Sequence, residues 1–136
     1  MAKTVKVTLE WADGEYPFAL RSGEIEELES ISFNPETEKK GIGIGAVWMR
    51  LMGGGWFVGD IFNVIRLGLI GGGLDEIKAK RLVDFYVKNK PLSDNGYVRT
   101  PSPSNPLTVA QAILAAAIVG VDEEELDSGE SQTPQP

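Results

Sequence analysis

The sequence contains no cysteine and no histidine. Without cysteine, the chain can form no disulfide bond and has no thiolate to act as a nucleophile or a metal ligand. Without histidine, it lacks the side chain most often used for acid–base catalysis near neutral pH and the commonest ligand of transition metals. Aspartate and glutamate could still bind Ca²⁺ or hydrolyse a glycoside. The two absences nevertheless predict a protein that is not an enzyme and holds neither a cofactor nor a metal.

The sequence also lacks an uncharged apolar run long enough to cross a bilayer. Its most apolar stretch, residues 41–73, is interrupted by Arg50, Asp60 and Arg66, and the runs between them span about nine residues. A membrane-spanning helix needs roughly 18–20. The N-terminus alternates polar and apolar residues and does not resemble a secretory signal. These features predict a soluble, cytoplasmic protein that does not bind membranes.

Positive charge is missing from the last part of the chain, where nothing basic follows Arg99. Six of the twenty acidic residues lie between Asp122 and Glu130, whereas residues 1–121 hold thirteen Lys/Arg and fourteen Asp/Glu. This nearly neutral body offers no basic stripe for nucleic acid phosphates, so nucleic acid is not an expected partner. The sequence predicts a single domain over residues 1–121, followed by an acidic, disordered tail over residues 122–136.

The first twenty residues carry the pattern of a β-hairpin. Val5, Val7, Leu9 and Trp11 alternate with polar residues, which is typical of a strand with one buried face. Asp13-Gly14 predicts a tight turn, and apolar alternation resumes after it. Because an isolated two-stranded hairpin is marginal in water, helices are expected to cover its apolar face.

The rest of the chain favours helices separated by glycine and proline. Spacing of apolar residues predicts helices over residues 22–31, 44–52, 56–70, 76–90 and 109–119, with a polar loop over 34–41 and a longer loop over 92–106. Ser22 or Gly23, Asp75 and Thr108 are the expected N-caps, and Thr108 forms a capping box with Gln111. The predicted fold class is α+β, a hairpin packed against a bundle of four to five helices.

Eleven of the sixteen glycines lie in residues 41–73. The run Gly41-Ile42-Gly43-Ile44-Gly45 is followed by Ala46 and lacks the Lys-Ser/Thr ending of a phosphate-binding loop, so nucleotide binding is disfavoured. Two interpretations remain. The glycines either divide the segment into short helices that pack closely, or act as hinges that move when a partner docks.

Bulky apolar side chains suggest two contact surfaces. One is a cluster around the Gly53–Gly55 break, and the other is the alanine-rich helix near residue 113. Such side chains can anchor a partner helix or a second copy, and they can equally fill the domain core. The candidate partner or self-association residues are Trp48, Met49, Met52, Trp56, Phe57, Ile113 and Leu114.

The order of these segments resembles a known family. Residues 5–20, VKVTLEWADGEYPFAL, lead into SGEIEELE, and Pro106-Leu107-Thr108 leads into an alanine-rich helix that ends near Gly120-Val121. Over about residues 3–125, this arrangement is similar to that of the tail assembly chaperones of gene transfer agents and long-tailed phages. The glycine-rich middle and the Pro/Ser-rich loop over 92–106 depart from that pattern.

The resemblance implies a non-enzymatic assembly factor. Such a protein binds the tape measure protein, keeps it soluble during tail morphogenesis, and self-associates as a homo-oligomer in the bacterial host cytoplasm. The family supplies no catalytic residues. An alternative from another class is a virion structural protein, such as a tail terminator or a head–tail connector subunit, which would stay in the particle.

Overall fold

The computed structural model describes residues 2–92 and 105–122, in which short strands and five helices form the predicted α+β fold. The strands are β1 (Lys3–Thr4), β2 (Val7–Trp11), β3 (Gly14–Phe18), β4 (Phe33–Asn34), β5 (Lys39–Lys40) and β6 (Val121–Asp122). The helices are α1 (Ser22–Ile31), α2 (Ile44–Gly53), α3 (Val58–Gly71), α4 (Glu76–Tyr86) and α5 (Pro106–Ile118).

Strands β2 and β3 form the predicted N-terminal hairpin, with Val7 opposite Phe18 and Trp11 opposite Gly14. The turn lies one residue earlier than predicted. Ala12 and Asp13 make the two-residue loop, and Ala12, not Gly14, has a positive φ of 58°. This register turns Trp11 inward, where it is 2% exposed and packs edge-on against Tyr16 and Phe18. Burial of the tryptophan therefore outweighs the turn preference of Asp-Gly.

Tyr16 is expected to lose its phenolic proton only at strongly alkaline pH. Its hydroxyl donates a hydrogen bond to the Asp13 carboxylate; this bond, then burial and the Asp13 charge, raise the pKa of Tyr16 to about 12. Because the folded-state pKa is raised, the stability from this contact is complete below pH 10 and is lost between about pH 10 and 12. In an ultraviolet titration, Asp13→Ala should move one tyrosine transition back towards pH 10. An unchanged curve would contradict this assignment.

Helix α3 is the central element of the domain. It packs against α1, α4, α5 and strand β3. Ile61, Ile65 and Leu69 recur every four residues and are fully buried, as their helical spacing predicts. The hydrophobic core therefore forms around α3, and the hairpin and the other helices cover it.

Two of the predicted helix caps are wrong, whereas the third is confirmed. Helix α1 is capped at Arg21, whose backbone N–H donates to Glu24 Oε1 at 2.9 Å. Helix α5 is capped by the Asn105 side chain, which accepts from the backbone N–H of Leu107. Asp75 caps helix α4 as predicted. That helix ends at Tyr86, earlier than the proline at position 91 suggested.

Residues 34–41, predicted to be a loop, contain all of a small hairpin except Phe33. Phe33 of β4 pairs with Lys40 of β5, and Glu38 has a positive φ of 59° in the turn between them. The Asn34 side chain donates to the carbonyl of Gly41 at 2.9 Å and holds the two strands together. As a consequence, Phe33 is presented at the surface with 38% of its area exposed.

The two ends of the described chain meet. Lys3 and Thr4 pair antiparallel with Asp122 and Val121, so the ordered body includes Asp122. The predicted acidic, disordered tail otherwise falls on residues 123–136, outside the described residues, as do residues 93–104 of the predicted loop. None of the helices in the described ranges is long and apolar enough to span a bilayer.

Candidate protein interaction site

Helix α2 presents an apolar face to solvent. Val47 and Leu51 lie on its inner side and are buried, whereas Met49 and Met52 lie on the opposite side and are 71% and 52% exposed. A helix with one buried stripe normally carries polar residues on its other face. An outer face with two large thioether side chains is therefore a candidate contact surface.

A buried ion pair joins α2 to the start of α3. Arg50 Nε and Nη2 donate to the two carboxylate oxygens of Asp60 at 2.8 and 2.7 Å. The third nitrogen, Nη1, donates to the backbone carbonyl of Phe33 at 2.8 Å. Asp60 is 2% exposed, so this two-pronged pair lies in a poorly solvated site. The guanidinium consequently ties α2, α3 and the β4–β5 hairpin together.

The same ion pair fixes Phe57 at the surface. Asp60 Oδ2 also accepts the backbone N–H of Phe57 at 2.9 Å, which caps the first turn of α3. The Arg50 guanidinium lies 4.9 Å from the Phe57 ring centroid, and the Phe33 ring meets that of Phe57 edge-on at 5.1 Å. Phe57 remains 39% exposed. It is thus an apolar anchor held in place by charge and by stacking.

The structure places the members of the first sequence-predicted cluster partly at the surface and partly in the core. Met49, Met52 and Phe57 are exposed, and we call these three side chains the Met–Phe surface. Trp48 and Trp56 are half-buried and pack against the core beneath it.

The other predicted contact residues, Ile113 and Leu114, are not at the surface. Both are fully buried. Ile113 packs closely against α3 at Gly68, where the missing side chain leaves room for it. Helix α5 therefore buries the two residues within the domain, and they cannot contribute to a contact surface of the folded chain.

Sequence reasoning missed Phe33, Arg50 and Asp60 as parts of the site. A signal was present, because Arg50 and Asp60 are the first two charged residues in an otherwise apolar stretch and have opposite sign. Buried charges in proteins are usually paired. Nothing comparable marks Phe33, because its position depends on the unpredicted β4–β5 hairpin.

A pocket of about 430 Å³ opens beside the Met–Phe surface. Its walls come from the end of α1, the β4–β5 hairpin and the first turns of α3. The lining residues are Ile31, Ser32, Phe33, Lys40, Phe57, Gly59, Asp60, Asn63 and Arg66. Asp60 is already paired with Arg50. The other charged side chains in the lining are the cations Lys40 and Arg66.

The site provides apolar side chains and two cations, Lys40 and Arg66. Within residues 2–92 and 105–122, no three acidic side chains lie close enough to hold a metal ion. A rigid apolar surface with a charged pocket beside it is typical of proteins that work by binding other proteins. By its fold, this is a small α+β domain that exposes an apolar surface beside a pocket lined by two cations.

Comparison with known protein families gives the biological setting. Residues 4–120 match the family described as phage tail tube protein, GTA-gp10, and the chain belongs to that family. Neither the curated proteins nor the solved structures contain a significant match. The resemblance to gene transfer agent and phage tail proteins is thereby confirmed at the family level. The family description names a tail tube protein, and the chaperone role is not part of it.

Proposed function

We propose that this phage-type tail protein is a tail assembly chaperone that binds the tape measure protein, keeps it soluble before the tail tube forms, and performs no enzymatic step. The observation that carries the proposal is the exposure of Met49 and Met52 on a helix whose opposite side is buried by Val47 and Leu51. Exposed methionines add nothing to the stability of the isolated domain, so their exposure suggests that another protein covers them.

The chemistry of the Met–Phe surface suits a long helical client. Methionine is unbranched and polarizable, so it adapts to side chains of different shape along a repetitive partner. Phe57, fixed by Arg50 and Asp60, adds a rigid anchor of large area. With adaptable methionines and a rigid phenylalanine, the Met–Phe surface could bind several related segments of a client.

Self-association would extend this surface along the client. One domain presents three side chains on the Met–Phe surface, whereas a tape measure protein offers apolar faces repeatedly along its length. Several copies side by side would gain avidity from sites that are individually weak. The proposed functional form is therefore a homo-oligomer on its client.

A structural tail subunit is the second candidate, and the family description favours it. Strands β2 and β3 pair only with each other in the described part of the chain. The end of α3 packs against the Pro17 carbonyl of β3, so β2 has the unpaired edge where a neighbouring subunit could add a strand. Mass spectrometry of purified particles separates the candidates. A structural subunit would be present in many copies, whereas a chaperone would be missing.

Replacing both Met49 and Met52 by serine is expected to lower retention of the tape measure protein at least about tenfold, because two exposed apolar contacts are lost. The measurement is co-purification of the client from cells that express both proteins. Both side chains are mostly exposed, so the variant should keep its thermal midpoint.

Ile77→Ser on helix α4 is the matched control, since Ile77 is 64% exposed but lies outside the Met–Phe surface. It should retain the client like the unaltered chain. Equal retention by the double variant would reject the Met–Phe surface. If the unaltered chain retained no client and occurred in purified particles, the structural candidate would replace the chaperone.

A further inference from the structure

The outer edge of strand β2 presents unpaired backbone groups. Trp11 and Gly14 close the two-residue loop of the hairpin, and such a closing pair is hydrogen-bonded across the two strands. Because the direction of bonding alternates along a strand, Val7 and Trp11 bond towards β3, and the N–H and carbonyl groups of Thr8 and Glu10 point to the outer edge. Within residues 2–92 and 105–122, no backbone group pairs with them there.

The other edge of the hairpin, on β3, is closed to an incoming strand. Pro17 lies opposite Thr8 and has no N–H to donate at this edge. The Pro17 carbonyl is so close to helix α3 that a methyl group on Gly72 would lie 2.0 Å from its oxygen. Strand β2 contains no proline, and its Thr8 and Glu10 are exposed. The hairpin is therefore open to another strand on the β2 side.

The charges beside this edge match those of a second, antiparallel β2. Lys6, Thr8 and Glu10 are exposed on one face, and neither charged residue forms an ion pair with another described residue. When Thr8 lies opposite Thr8 of another copy, Lys6 lies opposite Glu10 at both ends of the pairing. Shifting the register by two residues separates both charge pairs, and shifting it by four sets like charges opposite each other. The charges therefore select a single register.

The apolar face of β2 fits the same register. Val7 and Leu9 pack against the core and are only half-buried. With Thr8 at the centre, Val7 of one copy lies opposite Leu9 of the other, so each covers part of the area that the other leaves exposed. A register displaced by one residue would set these side chains on the polar face of the neighbouring strand. Both faces thus favour the pairing centred on Thr8, and a second copy supplies the matching strand.

We propose that two copies pair through their β2 strands, antiparallel and centred on Thr8, so that the two hairpins form one continuous sheet. Thr8 exchanges both backbone hydrogen bonds with Thr8 of the other copy, and the Glu10 N–H donates to the Lys6 carbonyl across the interface. The Lys6 N–H already donates to Thr4 Oγ1 at 3.2 Å and is not needed for the pairing. The same surface is used by both copies, so the contact is isologous and closes at a dimer.

The absence of cysteine allows a single substitution to test the pairing in the full-length chain. Thr8→Cys places two thiols opposite each other, at a Cα separation of about 5.5 Å that a disulfide can bridge. Glu15→Cys is the matched control, because Glu15 is exposed opposite Glu10 on the same face but belongs to the β3 edge. Under mild oxidation, Thr8→Cys should give at least about tenfold more disulfide-linked dimer on a non-reducing gel. Equal yields would overturn the proposal.

Charge reversal tests the register. Lys6→Glu or Glu10→Lys alone sets like charges opposite each other twice per dimer, so each should raise the Kd of the dimer at least about tenfold in sedimentation equilibrium. Combining the two changes exchanges the charges and should restore the dimer. Both side chains are exposed, so the variants should fold normally. A double variant no better than the single ones, or an unaltered chain that stays monomeric, would overturn the proposal.

The pairing is independent of the proposed function, since it uses the hairpin edge and not the Met–Phe surface. If the chain is a chaperone, the dimer offers two Met–Phe surfaces to one client. Neither experiment above contains the client, so a negative result in them leaves the retention assay unaffected. Conversely, loss of retention in the Met49/Met52 variant should leave the dimer intact.

Discussion

Replacing Gly71 with alanine is expected to lower the free energy of unfolding by at least about 3 kcal/mol, or to prevent folding. A methyl group at this position would lie 1.8 Å from the carbonyl oxygen of Ala19, well inside van der Waals contact. The obstructing atom belongs to the backbone, so no side-chain rotation can relieve the clash. Helix α3 would have to move away from the strand beneath it, and α3 carries most of the core.

Urea unfolding followed by circular dichroism measures the effect, and Gly59→Ala in the same helix is the matched control. A methyl group at Gly59 meets only the Asn63 side chain at 3.9 Å, which is ordinary contact. Alanine favours a helix over glycine by about 1 kcal/mol, so this variant should be unchanged or more stable. Similar midpoints for the two variants would show that α3 does not lie so close to Ala19.

The glycine-rich middle of the chain is explained in part by these contacts. A methyl group at Gly72 would lie 2.0 Å from the carbonyl of Pro17, and Gly73 has a positive φ of 111° that turns the chain towards α4. Close approach at two positions and backbone freedom at the third account for the run Gly71–Gly73. Of the two interpretations of the glycines, close packing is observed at this site.

The regular elements could be predicted because their periodicity reports burial. The alternation Val7, Leu9, Trp11 fixes which face of the strand is covered, and the spacing of Ile61, Ile65 and Leu69 gives α3 its inner stripe. Both patterns involve many residues, so one exception does not change the result. This is why the fold class follows from the sequence.

The ends of elements depend on single residues and were harder to predict. Both Asn105 and Thr108 are good caps, and the structure uses Asn105 because Pro106 then occupies the first turn of α5. The β4–β5 hairpin likewise rests on Asn34 and one positive φ at Glu38. Local preference allows several solutions in such places, and contacts distant in sequence select one.

The candidate site could be predicted only in part for a related reason. The sequence shows that Met49 and Ile113 are both large and apolar. It does not show that Ile113 packs against another helix while Met49 faces solvent. Helix α5 has few polar residues to mark its outer side, and in the structure its exposed end is Ile118 instead. Which side chains are exposed depends on how the helices pack together, and the apolar pattern of a single helix does not determine this.

Breaking the Arg50–Asp60 pair is expected to lower the free energy of unfolding by about 3–5 kcal/mol, because each partner would leave a buried charge unpaired. Asp60→Asn is the most informative change, since the amide keeps an oxygen for the Phe57 N–H while the Arg50 charge loses its counterion. For a domain of this size, the thermal midpoint should fall by about 10–20 °C.

Two comparisons distinguish this ion pair from ordinary surface charge. Asp84→Asn removes one partner of the exposed Lys80–Asp84 pair and should leave the thermal midpoint nearly unchanged. In a double-mutant cycle, Arg50→Met combined with Asp60→Asn should cost less than the sum of the single changes, since neither buried charge then remains. Strict additivity would mean that the two groups contribute independently. In that case Phe33 and Phe57 would not be held through a shared network, and the rigid half of the Met–Phe surface would need another explanation.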